Sequence, residues 1–352
     1  MRILLLATDA YGGHGGIALF NREFVAALTM HSDCEEVVVV PRVIGTDVGD
    51  IPPRVRFFAD AARGNGAYLR AIAALRKQSF DLVICGHVNL LPVAAALDAH
   101  PLLITHGIEV WKPLESPLSR RLLHRSRGIV SVSAVTRDRL VGWSGYKGPT
   151  FVLPNAVHLE QYGIREKRPD LIERYQIEGK RVLLTVGRLS AEERYKGFDE
   201  VMEALPELPE DVVYLIAGGG NDFPRLQQKA MQLGITDRVR FTGLFDESDK
   251  PDIYNLADVY VMPSRGEGFG FVFLEAMACG VPVIGSRLDG GREALLDGKL
   301  GTLADPASPE AICNAILETL TRDERRIPAG LHYFQFSRFV ARVSDIIEAV
   351  EK

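Results

Sequence analysis

Short, almost unbroken apolar runs separated by longer amphipathic stretches recur along the whole of this chain, and that rhythm excludes most folds. "RILLLAT", "EVVVVPR", "DLVICG", "LLITHG", "GIVSVS" and "FVLPN" fall within residues 1–155. Between them lie helical patterns such as "GIALFNREFVAALTMH" and "GAYLRAIAALRKQ". Strands apolar on both faces and alternating with helices belong to a parallel sheet covered on both sides. A polar stretch, "HLEQYGIREKRPDLIERYQIEGK", follows Asn155, and the rhythm restarts with "RVLLTVGR", "VVYLIAGGG", "RVRFTG", "DVYVMPS", "PVIGS" and "LGTLADP". We therefore expect two doubly wound α/β domains, residues 1–157 and 158–334, with an amphipathic helix over about 335–352, "FSRFVARVSDIIEAVEK". A length of 352 residues suits two domains of ordinary size.

Bulk chemistry narrows the function classes. Hydrophobic content of 47% and charged content of 25% are those of a globular protein with ample core. A net charge of -5 gives no global attraction to nucleic acid. Cys34, Cys85, Cys279 and Cys313 are scattered, with no paired spacing and no histidine cluster. Neither a disulfide framework nor a zinc site is expected, and a reducing cytoplasm fits. The opening apolar run is too short for a secretion signal, and no segment approaches the eighteen or so apolar residues of a membrane span.

In doubly wound sheets ligands sit at the carboxyl ends of strands, so the residues just after each strand carry the functional reading. After the first comes "DAYGGHGGIALF", with Gly12, Gly13, Gly15 and Gly16 ahead of a helix. Glycines let backbone approach a ligand, and a helix N-terminus attracts an anion. Gly13, Gly15 and Ala18 satisfy the loose G-x-G-x-x-A dinucleotide pattern. Against a dehydrogenase, four residues separate the strand from Gly13, and the second strand ends in "VVVVPRV" without an acid for a ribose. A plain tight turn and a phosphate- or sugar-facing loop are the other readings.

The second half is richer. Arg188 follows a strand end, and Lys196 stands eight residues later before a helix. Two such cations suit a diphosphate, although solvated surface charges are the commoner fate of such residues. In "MPSRGEGFGFVFLEAMACG", Gly266, Gly268 and Gly270 bracket Glu267 and Phe269, and a helix starting near Gly270 carries Glu275. The helix N-terminus adds partial positive charge, and carboxylates accept hydrogen bonds from polyols. Acids at sugars with cations between them fit a sugar–diphosphate–ribose string.

The acids Glu267 and Glu275, with seven residues between them in "PSRGEGFGFVFLEAMACGVPVI", and "VGRLS", "YKGFD", "AGGG", "VRFTG" and "LPNAV" in order, resemble the signature of retaining GT-B glycosyltransferases. The similarity points to the family that includes phosphatidylinositol mannosyltransferase and sucrose synthase. It implies two Rossmann-like domains facing across a cleft, with the last helix returning to the first domain. It further implies a hexosyltransferase using a nucleotide sugar, GDP-mannose or a UDP-hexose, toward a saccharide or polyprenyl- or lipid-linked acceptor in cell-surface polysaccharide or glycolipid synthesis. Carried over residue by residue, Arg188 and Lys196 would neutralise the diphosphate, with Gly187 beside them. Glu267 and the backbone of Gly268, Phe269 and Gly270 would hold the donor sugar, and Glu275 the ribose. Arg240, Phe241 and Gly243 would flank the base, and Gly13, Gly15 and Gly16 would face the phosphate. His106 in "LLITHGIEVW" would lie near the donor sugar, with Asp9, Tyr11 and Glu109 on the acceptor side.

Many glycosyltransferases use a metal held by D-x-D, which is absent from this sequence. Metal-independent catalysis with no cofactor is therefore expected, Arg188, Lys196 and the helix N-terminus supplying the charge. Retention by double displacement needs a carboxylate under the anomeric carbon. The resemblance implies front-face attack instead. Arg120, Arg121, Arg125 and Arg127 crowd a likely helix in "SPLSRRLLHRSRG". They form either a solvated face or a peripheral contact with the anionic inner face of the membrane. A GT-B-like epimerase or phosphorylase and a non-catalytic nucleotide-sugar binding module are the rival readings.

Overall fold

The computed structural model describes residues 1–321 and 325–351, so Lys352, the last residue of the expected closing helix, lies outside the described residues. Two compact units emerge: residues 1–156 together with the helix Phe336–Glu351, and residues 157–335.

The first unit is built on seven parallel strands: β1 (Arg2–Ala7), β2 (Glu36–Pro41), β3 (Val55–Phe57), β4 (Leu82–Cys85), β5 (Leu102–Thr105), β6 (Gly128–Ser131) and β7 (Thr150–Val152). Their order across the sheet is β3-β2-β1-β4-β5-β6-β7. Ile3, Leu4, Leu5 and Leu6 are all fully buried, because helices cover both faces of the central strand. β3 is a three-residue edge strand with no apolar run, so the hydrophobic rhythm does not reveal it.

The second unit repeats the plan with β8 (Arg181–Val186), β9 (Val212–Ala217), β10 (Val239–Phe241), β11 (Val259–Met262), β12 (Val283–Ser286) and β13 (Thr302–Ala304), in the order β10-β9-β8-β11-β12-β13. The fully buried Tyr214 of β9 donates its hydroxyl to Thr185 Oγ1 of β8 at 2.7 Å, and Thr185 donates to the Val261 carbonyl of β11. Three central strands are thereby tied by side chains as well as by the ladder.

In each unit the winding reverses beside the first strand, between β1 and β4 and between β8 and β11. Connections leaving such a pair turn to opposite faces and open a crevice at the carboxyl ends. The candidate residues Arg188, Lys196 and Glu267 follow β8 and β11; Asp9, Gly13 and Gly15 follow β1.

The helix Phe336–Glu351 buries Phe339, Val343, Ile346 and Ile347, a stripe at helical spacing. The Phe339 ring meets Phe20 of the helix Gly16–Thr29 edge-on at 5.9 Å. The end of the chain thus completes the core of its beginning. Among the described residues no helix is long and apolar enough to cross a membrane. Replacing the fully buried Phe339 by alanine should cost the first unit about 3–5 kcal/mol, read as an earlier unfolding transition in urea with the second unit's transition unmoved.

Candidate functional site

In the second unit the cations and the acidic loop meet through backbone contacts. Gly197, just after Lys196, has φ +90, and a Cβ there would lie 2.7 Å from the Pro263 carbonyl oxygen at the end of β11. Only glycine permits both the left-handed backbone and the approach. The Arg265 amide donates to the Tyr195 carbonyl at 2.8 Å, drawing the two strand-end segments together. The aliphatic stem of Lys196 lies over Gly187, whose added Cβ would meet Lys196 Cδ at 3.3 Å.

The ammonium of Lys196 is 3.7 Å from Glu267 Oε2 and 3.3 Å from Glu193 Oε2. Burial disfavours its charge, but the Glu267 carboxylate, with Tyr195 and Glu193, outweighs that, and its pKa is raised. Arg188, more exposed, pairs with the other oxygen of Glu193. Two cations and two carboxylates therefore share this corner of the sheet.

Glu267 is fixed at both ends of its own peptide. Its N–H donates to Asp289 Oδ2 at 2.9 Å, and its carbonyl accepts from the Gly290 N–H at 2.9 Å. A Cβ on Gly290 would fall 1.9 Å from the Gly268 carbonyl oxygen, so the two loops lie backbone to backbone. Asp289 is fully buried, and it also accepts from Ser264 Oγ at 2.7 Å and from the Gly291 N–H at 3.0 Å. Burial pushes its carboxyl up to about 7 despite those donors, with the nearby Glu267 charge adding to the rise.

Gly270 caps the helix Phe271–Ala278, the expected start, while Phe269 turns inward with its ring edge-on to Phe334 at 5.5 Å. The side chain of Phe269 is packing. Glu275 on this helix is 4% exposed and is no stray charge. Lys250 Nζ donates to one oxygen at 2.8 Å and the Tyr254 hydroxyl to the other at 2.6 Å. Lys250 is held charged against burial by this carboxylate. The Tyr162 hydroxyl also bonds this carboxylate, whose charge adds to the burial that raises the phenol's pKa.

On the strand β10, Arg240 Nε donates to the Tyr175 carbonyl at 3.1 Å, and Nη1 to those of Asp237 and Val239 at 3.0 and 3.2 Å. These bonds brace backbone, Phe241 packs edge-on to Phe223 at 4.9 Å, and Gly243 is half-buried. One expectation needs correction: the arginine cluster is not one helical face, since the helix ends at Leu123 and Arg125 and Arg127 lie beyond it. Arg127 is spent on the His100 carbonyl at 2.9 Å and on Asp98 at 3.3 Å, while Arg120 reaches the Glu115 carbonyl at 3.4 Å; only Arg120 and Arg121 belong to the helix.

In the first unit, Gly15 caps the helix starting at Gly16, both exposed, and Arg22 of that helix holds the carbonyls of Ala10 and Gly13 at 2.9 and 3.0 Å. Asn21 donates to the Asp9 carbonyl at 2.8 Å, and Thr8 Oγ1 to the Asp9 carboxylate at 3.0 Å. Tyr11 is buried edge-on to Phe57, with its hydroxyl unpartnered. His106 Nε2 bonds the Gly86 carbonyl at 2.8 Å, and its backbone N–H donates to Glu109. Its ring stacks at 6.3 Å on His87, whose pKa burial lowers. Sequence reasoning missed His87, Glu193, Lys250 and Asp289. The i,i+3 spacing of Glu193 to Lys196 and the "DGG" at Asp289 were the available signals.

A family model, glycosyl transferases group 1, matches residues 167–328, and a second, glycosyltransferase family 4, matches residues 14–161. A GDP-mannose-dependent alpha-(1-6)-phosphatidylinositol monomannoside mannosyltransferase of Mycolicibacterium smegmatis is 35% identical over 64% of this chain, which spans 62% of that relative. The Mycobacterium tuberculosis protein of the same description is 29% identical over 94% of this chain and 91% of its own length. The fold matches that of HepE of Anabaena, crystallised with UDP and glucose, with a TM-score of 0.77 at 20% identity over 99% of this chain and all of the other.

Asp289 carries a prediction about pH. Its folded pKa, about 7, lies above the unfolded value of 3.8, so the folded unit retains a proton there that the unfolded chain has lost. That stabilisation is complete below the unfolded value and vanishes as pH rises through about 7. From about pH 5.5 to about pH 8 the loss is about 2 kcal/mol. Urea melts of the second unit should show this slope in wild type and a flatter one in Asp289→Asn, which has no such proton to lose.

Proposed function

Because the chain belongs to the GT-B glycosyltransferases, we propose that it transfers a hexose from a nucleoside-diphosphate sugar with retention and without a divalent metal. The acceptor is a saccharide or a lipid-linked sugar. The observation that carries this reading is the convergence of Arg188, Lys196 and Glu267 where β8 and β11 end, beside the N-terminus of the helix Phe271–Ala278.

The chemistry follows from the charges. Breaking the glycosidic bond places negative charge on the departing diphosphate, and a preorganised pair of cations with aligned N–H groups stabilises it without reorganising. Arg188 and Lys196 take that role, with the backbone of Gly187, Gly268 and Gly270 lining the approach. Glu267, clamped by Asp289 and Gly290, accepts hydrogen bonds from donor-sugar hydroxyls. Glu275, already neutralised by Lys250, accepts from the ribose. In front-face transfer the acceptor hydroxyl attacks from the leaving group's side and gives its proton to a leaving phosphate oxygen. Glu267 is then a positioner of the sugar, not a nucleophile. Among the first unit's candidates, His106, Asp9 and Glu109 offer groups for sugar hydroxyls, and the exposed Gly15–Gly16 edge offers a helix N-terminus to phosphate.

The curated relatives support GDP-mannose as donor, while the fold neighbour with UDP and glucose keeps a UDP-hexose open. A thermal-shift panel of nucleoside diphosphates and nucleotide sugars should raise Tm selectively with GDP and GDP-mannose; selective response to the UDP series would reverse the assignment. Lys196→Ala and Arg188→Ala should each cut turnover by about a hundredfold or more in folded protein. Near-wild-type rates would remove both residues from the mechanism. Activity should survive EDTA, and abolition by EDTA would contradict charge stabilisation by side chains alone.

A further inference from the structure

Glu193 has no place in the reaction just described, yet it occupies the centre of the charge cluster. It lies in the turn Ala191–Lys196, where its φ of -113 and ψ of 26 break the helical path. The turn is anchored around it: its N–H donates to the Ser190 carbonyl at 2.9 Å, and the Ala191 N–H donates to Asn221 Oδ1 at 2.9 Å. The break lets one carboxylate straddle both cations, Oε1 on Arg188 and Oε2 toward Lys196. Its side chain is 14% exposed, whereas that of Arg188 is 65% exposed, so the acid sits beneath an open guanidinium.

The fit is electrostatically matched but incompletely bonded. Oε2 is buried and lacks a hydrogen-bond partner, lying 3.3 Å from Lys196 Nζ outside hydrogen-bonding geometry. A buried carboxylate oxygen so placed is held chiefly by charge, and an anion with more oxygens and more charge competes well for the same cations. Arg188 and Lys196 against Glu193 and Glu267 sum to no net charge, so a diphosphate entering with Glu193 in place meets a neutral site and a repelling carboxylate.

We propose that Glu193 is an internal stand-in for the diphosphate, a residue that sets nucleotide affinity by competing for Arg188 and Lys196. It keeps the two cations apart from each other and pre-aimed in the free protein. It yields them when nucleotide enters and reclaims them as the nucleoside diphosphate leaves. The inference rests on the assignment of Arg188 and Lys196 to the diphosphate.

Isothermal titration of GDP and of UDP into wild type, Glu193→Gln, Lys196→Ala and the Glu193→Gln/Lys196→Ala pair tests it. A thermal melt confirms that each is folded, and Glu193→Ala serves if the glutamine variant is not. The neutral glutamine should tighten the nucleoside diphosphate that binds wild type by about tenfold, and the same compound should become a correspondingly stronger product inhibitor. A residue that merely braced the cations would weaken binding when neutralised, so unchanged or weaker affinity overturns the inference while leaving the diphosphate assignment intact. Lys196→Ala should bind more weakly in both backgrounds. Wild-type affinity there removes the diphosphate assignment and this inference with it.

Discussion

The adjacency of β8 and β11 is the constraint on which the candidate site depends. Two strands distant in sequence lie side by side, and their following loops leave in opposite directions from the same end of the sheet. Lys196 and Glu267 can approach within 3.7 Å because of that adjacency, and Gly197 closes the remaining gap by letting its chain press on Pro263. The polar link from Tyr214 through Thr185 to Val261 stiffens the same three strands directly beneath. Preorganised cations stabilise a developing charge only if they need not move, and a sheet buried on both faces is a rigid place to hang them.

The acids around the candidate site meet their desolvation in different ways. Glu275 is neutralised by Lys250 and a tyrosine hydroxyl, Glu267 faces Lys196 at the edge of solvent, and Asp289 relies on hydrogen-bond donors alone. Without a cation, Asp289 is the one whose proton affinity burial raises to about 7. Glu193 differs again, since its partners are the cations that the proposed reaction needs for another purpose. Acids with such contrasting partners at strand ends of one sheet are characteristic of sites where charge must be handled.

Much of this was legible in the letters. Apolar runs such as "VVYLIA" mark both sheets because two-sided burial leaves no polar alternation, and the glycine-bracketed Glu267 marks the loop before its helix. The short edge strand Val55–Phe57 escaped because an edge needs no apolar run. The contacts of Arg240 were not legible, because a cation at a strand end reads alike whether it faces a ligand or backbone carbonyls. Which one it meets depends on the helix Pro169–Tyr175, about 65 residues earlier in the chain. The contacts of Asp289 and Lys250 were hidden for the same reason. Their partners, Glu267 and Glu275, lie 22 and 25 positions away, and no local spacing reports such a pairing. The arginine run was overread because charge spacing says nothing of where a helix stops, and Leu123 stops this one.

One structure tests the account most directly: the protein crystallised with the nucleoside diphosphate it binds. The β-phosphate should lie within hydrogen-bonding distance of Arg188, Lys196 and the first-turn N–H groups of the helix Phe271–Ala278, with the ribose on Glu275. Nucleotide bound away from those groups, or a diphosphate that leaves Arg188 and Lys196 untouched, would contradict it.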